Sequence, residues 1–220
     1  MDRIERAVCK KLEPVLKPHG FELDKELGGF VRRQPYGHDA MLVVNQGTAG
    51  AVGPRHFEIK FYFDIRHDCV EVPWNTLGMI YGEEAQRMTP TLTLHPRPRN
   101  LPSLKVIPAS QDEDTSRIAQ EGAALFRDKG LPFFAEFVNL SIVEALANRY
   151  PLIDLHPYNF GGPMEDRAMR SLILAKIVNP GRYAHVRETF VTLDKGMFPR
   201  EQRMAMLAKV DAMELPRWPA

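Results

Sequence analysis

Asp64, Arg66, His67, Asp68 and Cys69 form the densest set of reactive side chains in this 220-residue sequence. An imidazole next to a carboxylate can act as an oriented general base or as half of a metal pair. His67, Asp68 and Asp64 are therefore the catalytic candidates, on the pattern of a hydrolase-like small-molecule enzyme whose other groups come from distant parts of the chain. Adjacent residues on a strand point to opposite faces, so alternation groups Asp64, Arg66 and Asp68 on one side. His67 and Cys69 then leave with the core face or belong to a turn. The expectation is a solvated strand end.

Other chemistry lacks the spacing it needs. The seven histidines, at 19, 38, 56, 67, 95, 156 and 185, form no H-E-x-x-H or H-x-H pair, so no metal site is expected. Cys9 and Cys69 make no C-x-x-C, and no G-x-S-x-G surrounds a serine. Gly47, Gly50 and Gly53 precede a strand rather than a helix and no Lys-Ser or Lys-Thr follows, which argues against a phosphate cradle. Gly161-Gly162-Pro163 precedes a helix, but Glu165 and Asp166 already supply negative charge to its first turn. No cofactor is expected.

Two surface readings remain. Arg32, Arg33, Arg55, Lys60, Arg66, Arg97, Arg99 and Lys105, with Tyr36 and Tyr62 among them, could line a wet sheet face that stacks bases and tracks phosphates. Arg33, Tyr36, Tyr62 and Arg66 are its binding candidates. Glu58, Asp64 and Asp68 share that strand, however, so single-sign charge is missing and nucleic acid is not the expected partner. Trp74, in Val72-Pro73-Trp74-Asn75 with Met79, Ile80 and Tyr81 nearby, reads as a flap over the core or as an exposed protein contact.

The elements behind these residues follow from periodicity. Ile4, Val8, Leu12, Val15 and Leu16 predict an amphipathic helix, with a kink or new turn at Pro14 and an end at Pro18-His19-Gly20. From Phe21 the period becomes two. Phe57, Ile59, Phe61, Phe63 and Ile65 alternate strictly with polar partners, the strongest strand signal in the chain. Phe21 to Leu27, Phe30 to Gln34 and Ala40 to Gln46 are further strands joined by short hairpin links, with Thr91 to Leu94 and Leu104 to Ile107 as additional ones.

Helical patterns occupy the rest. Ser110 and Glu113 read as a capping box, and Gly130 and Pro132 as the stop of that helix. Ser141 and Glu144 repeat the box. Pro163 opens a helix whose apolar stripe is Met164, Ala168, Leu172 and Ala175, broken at Asn179-Pro180-Gly181; Tyr183 to Leu193 and Pro199 to Glu214 complete the series. Strands first and helices afterwards mean an α+β fold: an N-terminal helix, an antiparallel sheet of about four to six strands, and a C-terminal helical layer. The expected organisation is one α+β unit over 1–220. Within it 1–109 forms the helix and sheet layer and 110–220 the helical layer or a separate subdomain.

Composition bounds the partners. With 29 basic and 28 acidic side chains the net charge is +1, so no global field draws the chain to nucleic acid or anionic lipid. Hydrophobic residues make up 44% of the chain, enough for a core burying roughly 70% of the unfolded surface. No apolar run approaches the roughly 20 residues of a membrane span, and the first residues lack a secretory signal's apolar core. Two widely spaced cysteines suit a reducing compartment, and the expected location is cytoplasmic.

The segment Leu12 to Arg33, with Leu16-Lys17-Pro18-His19-Gly20-Phe21 closing a helix ahead of a strand and Phe30-Val31-Arg32-Arg33, resembles uncharacterised bacterial domain families of unknown function. Gly130-Leu131-Pro132-Phe133-Phe134 fits the helices that follow in them. The resemblance spans about residues 1–148 and implies an α+β fold and, for some members, an immunity or partner-binding role. It carries over no catalytic residue. The leading functional expectation is thus a non-enzymatic, protein-binding or immunity-like module. Self-association is also expected, because an open sheet leaves an edge to cover.

Overall fold

Asp2 starts the first helix. Its carboxylate accepts the Glu5 backbone N–H at 2.8 Å while the Glu5 carboxylate accepts the Asp2 N–H at 2.6 Å, a reciprocal capping box. In the computed structural model, residues 1–47, 57–77, 89–96, 104–107, 110–149, 158–160, 164–192 and 199–216 are described, with backbone alone for 164–166. Helix α1 (Arg3–Leu16) buries Ile4, Val8, Cys9, Leu12 and Leu16 and continues through Pro14. It ends in a tight 3-10 turn (Lys17–His19), after which Gly20 takes a left-handed φ of 81°.

Strands β1 (Glu22–Asp24), β2 (Gly29–Gln34), β3 (Gly37–Asn45) and β4 (Phe57–His67) follow. Next come α2 (Asp68–Asn75), β5 (Leu92–Leu94) and β6 (Leu104–Val106). The strand order is β1-β2-β3-β4-β5-β7, with β6 also paired to β4, making seven strands among the described residues. Pairing is antiparallel in β1–β2, in β2–β3, where Phe30 faces Met41 and Arg32 faces Asp39, and in β4–β6, where Glu58 faces Lys105. The helices are α3 (Gln111–Leu125), continuing through a wide π turn (Phe126–Gly130) into α4 (Leu131–Phe137), then α5 (Leu140–Arg149). After β7 (Tyr158–Asn159) come α6 (Met164–Val178), α7 (Pro180–Val191) and α8 (Arg200–Ala212). The architecture is α+β, as the sequence predicts.

The chain forms two compact units, one of residues 1–64 and 94–135, the other of 65–93 and 136–220. In the first, α1 packs beside α3 and against β1 and β3. Ile59, Phe61 and Phe63 are buried. Phe126 and Phe134 close over the Phe63 ring, at centroid distances of 6.5 and 6.0 Å. Lys11 fixes α1 to α3 through Asp112 and Ser116, both at 2.9 Å.

In the second unit α6 is the centre, packed against α2, α5 and α7. Every residue from Ala168 to Ala175 is buried. The single apolar stripe expected of this helix is replaced by burial all round, the condition of a helix wrapped by neighbours.

Local signals also depart from expectation. Gly130 and Pro132 do not stop the helix, because the π turn widens the backbone ahead of a proline that has no N–H to give. Ser110 makes no side-chain cap; its hydroxyl donates to Asp114 at 2.6 Å, and the same carboxylate accepts the Ile107 N–H at 2.9 Å. In the other Ser-x-x-Glu, Asn139 takes the capping position, accepting the Ser141 N–H at 3.0 Å, while Glu144 turns inward and accepts the Asn148 amide at 2.8 Å. The first strand is only three residues long, since the Asp24 carboxylate accepts the N–H groups of Glu26 and Leu27 and turns the chain.

Candidate functional site

Strand β4 alternates as predicted only along its first two thirds. Phe63, Asp64, Ile65, Arg66 and His67 are all buried, and Asp68 is exposed. The solvated strand end expected for Asp64 and Arg66 is thus overturned. In the second unit His67 reaches the Phe137 carbonyl while Arg66, facing the other way, reaches Thr89, so both faces of the strand tip are covered.

A buried polar chain starts at this tip. The His67 backbone N–H donates to Thr91 Oγ1 at 2.9 Å, and the Thr91 hydroxyl bonds the Glu71 carboxylate on α2. Arg170, at the middle of α6, donates Nε to Glu71 Oε1 at 2.9 Å and to Oε2 at 3.2 Å, and Nη2 to Oε2 at 3.0 Å. Its Nη1 donates to the Phe160 carbonyl at 3.0 Å, and its guanidinium lies 4.0 Å from the centroid of the Trp74 ring. Both charged side chains are fully buried. Burial lifts the Glu71 carboxyl above its ordinary range, while the facing Arg170 pulls it back down. A bidentate guanidinium–carboxylate pair stacked on an indole suits arginine's planar fork, which a lysine would not reproduce.

The catalytic candidates serve this interior. His67 Nε2 lies 2.9 Å from the Phe137 carbonyl oxygen, a geometry that places its proton on that nitrogen. Burial lowers its pKa to about 4, so the ring is neutral at pH 7. Asp68, the exposed member, accepts Arg66 Nε at 2.7 Å, and Arg66 Nη1 donates to the Thr89 carbonyl at 2.8 Å. Asp64 is buried in the first unit. Burial also raises the Cys69 thiol, to about 11.

The binding candidates are dispersed. Arg33 is exposed, its Nη2 3.8 Å from Asp24. Tyr36 donates to the buried Asp39 carboxylate at 2.6 Å, and the same carboxylate accepts Arg32 Nε and Nη2 at 2.9 and 2.7 Å. Arg32 in turn covers the Phe21 ring, 4.9 Å from its centroid. Burial raises the Asp39 carboxyl; Tyr36 and Arg32 oppose that. Tyr62 packs edge-on against His95, 5.0 Å away, and its hydroxyl is 3.3 Å from the Gln46 amide. Lys60 sits beside Glu58 at 3.3 Å. With Arg66 buried and Arg32 committed to Asp39, the described part of the basic strip is broken up by acids. Arg55, Arg97 and Arg99 lie outside the described residues, as do His56, His156, Gly50, Gly53, Met79, Ile80, Tyr81 and Gly161 to Pro163. The side chains of Glu165 and Asp166 also lie outside them.

Trp74 is fully buried, so it belongs to the core of the second unit rather than to an exposed contact. The residues missed by spacing are Glu71, Thr91 and Arg170. Arg170 left one signal: a lone charge inside Ala168-Met169-Arg170-Ser171-Leu172-Ile173-Leu174-Ala175, which can be buried only with a partner. Among the described residues no group of three or more histidine, cysteine or acidic side chains could hold a metal ion. No single helix among them is long and apolar enough to cross a membrane. No family model, curated protein or solved structure matches the chain.

Proposed function

We propose that this chain acts by binding a protein partner in a cytoplasmic setting rather than by turning over a small molecule. The observation that carries this reading is the state of His67: a neutral imidazole, fully buried and held on a backbone carbonyl, has no solvent with which to exchange the proton that a general base must move. Glu71, a buried acid of the same unit, is locked onto Arg170. The large apolar side chains that do face water support a contact function. Val138, in the turn before α5, and Ile142, in its first turn, are 39% and 37% exposed, and Val72 on α2 is 55% exposed. Free thiols at Cys9 and Cys69 fit a reducing compartment.

The test is native mass measurement of the full chain, with cross-linking capture from its own cells, on the wild type and on a V138D/I142D variant. A complex of fixed stoichiometry that the variant loses is the expected result. A monomeric mass throughout, with the same captured species for both proteins, overturns the reading.

A further inference from the structure

Helix α8 is more exposed than the helix before it: nine of its 13 residues face water, against five of the 12 in α7. Of its 13 residues only Met206, Leu207 and Val210 are buried, a single turn of apolar contact. Its first residue follows Pro199, which supplies no side-chain cap. Its C-terminal end, by contrast, is gripped by polar groups. The Lys176 ammonium on α6 spends all three donors on it, reaching the carbonyls of Val210 and Asp211 at 2.8 Å and of Met213 at 2.6 Å. The Asp211 carboxylate accepts the Tyr183 hydroxyl at 2.6 Å and Arg187 Nη2 at 2.8 Å, both from α7. Lys209 reaches the Leu77 carbonyl at 3.3 Å.

A cation over helix C-terminal carbonyls complements both the orphan acceptors and the helix dipole. Such contacts are largely given back by water on release, whereas buried apolar area is not. Asp211 and Arg187 are each about one third exposed, at 36% and 35%, so solvent already competes for their pair. In α6 every residue from Ala168 to Ala175 is buried, and release of that helix would dismantle the unit.

We propose that α8 is a detachable latch, leaving α6 and α7 as one piece while they stay folded. Its release uncovers the apolar patch beneath Met206, Leu207 and Val210 and frees Lys176, Tyr183 and Arg187 together. The proposal stands apart from the interaction reading above, because it is measured on the protein alone.

Hydrogen–deuterium exchange of the full chain, read by peptide, tests it. Amides of residues 203–212 are expected to exchange about 100-fold or more faster than those of 172–177, the signature of sub-global opening. K176M is expected to speed the α8 amides about tenfold further, as loss of a charge-assisted cluster should, and to leave 172–177 unchanged. R187Q, which touches only the pair that is one third exposed, gives the same pattern at smaller amplitude should K176M fail to fold. Equal exchange of α8 and α6 in the wild type, or equal acceleration of both in the variants, overturns the proposal.

Discussion

Gly122 stands against the tip of the Phe61 ring: a β-carbon on this helical glycine would lie 2.6 Å from Phe61 Cζ, closer than carbon atoms pack. Gly130 repeats the relationship with Phe63, at 2.9 Å from Cε1. The two glycines set how near α3 and its π turn come to strand β4, and so how the first unit's aromatic core closes. Glycine is chosen at these points for what it lacks in volume.

Gly122→Ala opposes two effects. Alanine improves helix propensity by about 1 kcal/mol, while forcing a methyl group into a filled core costs about 1–3 kcal/mol. Phe61 is 3% exposed, so its ring has little room to yield. Net destabilisation of about 1–2 kcal/mol is expected from urea unfolding. In a Phe61→Leu background the same change should become neutral or favourable, and a loss undiminished in that background would count against ring contact as the cause.

These glycines also show where sequence reading reached and where it stopped. The Phe57 to Ile65 alternation identified β4 because strand periodicity is local, and the order of strands before helices was enough for the α+β class. Gly130 read as a helix stop, since its volume relation to Phe63 is made across 67 positions of chain. Arg66 and Asp64 read as wet because alternation assigns two faces without saying that both are covered. Glu71 and Arg170 were illegible as a pair: they are 99 positions apart, and neither lies in a motif.

The Glu71–Arg170 pair should be costly to break and cheap to replace. Glu71→Leu or Arg170→Met alone leaves one buried charge unpaired, for which about 3–5 kcal/mol of lost stability is expected. The double variant Glu71→Leu with Arg170→Met removes both charges and should recover more than half of that loss. Chemical denaturation of the four proteins gives the coupling, and additive losses in the double variant would contradict a direct pair.

Tyr36 has a similar but smaller role in the first unit. Its hydroxyl is one of the three groups, with Arg32 and Gln34, that oppose the upward push of burial on Asp39. Tyr36→Phe is expected to cost about 1–2 kcal/mol at pH 7, where the buried carboxylate must be satisfied. The loss should shrink in acid, as Asp39 takes up a proton and no longer needs the donor. A penalty independent of pH would mean that the ring's packing, and not its hydrogen bond, is what matters.

His67 predicts the acid limb of stability. Its pKa falls from 6.5 to about 4 on folding, chiefly through burial, with the Phe137 carbonyl and Asp68 opposing. Between those values the unfolded chain holds a proton on the imidazole and the folded chain does not, so unfolding gains as pH drops. The contribution is complete above about pH 6.5, is lost progressively toward pH 4, and amounts to at most about 3 kcal/mol. His67→Gln keeps an amide donor for the Phe137 carbonyl but cannot titrate. Urea midpoints measured from pH 7 to pH 4 should therefore fall more steeply for the wild type than for the variant. Parallel pH profiles would show that the ring is not buried in its neutral form.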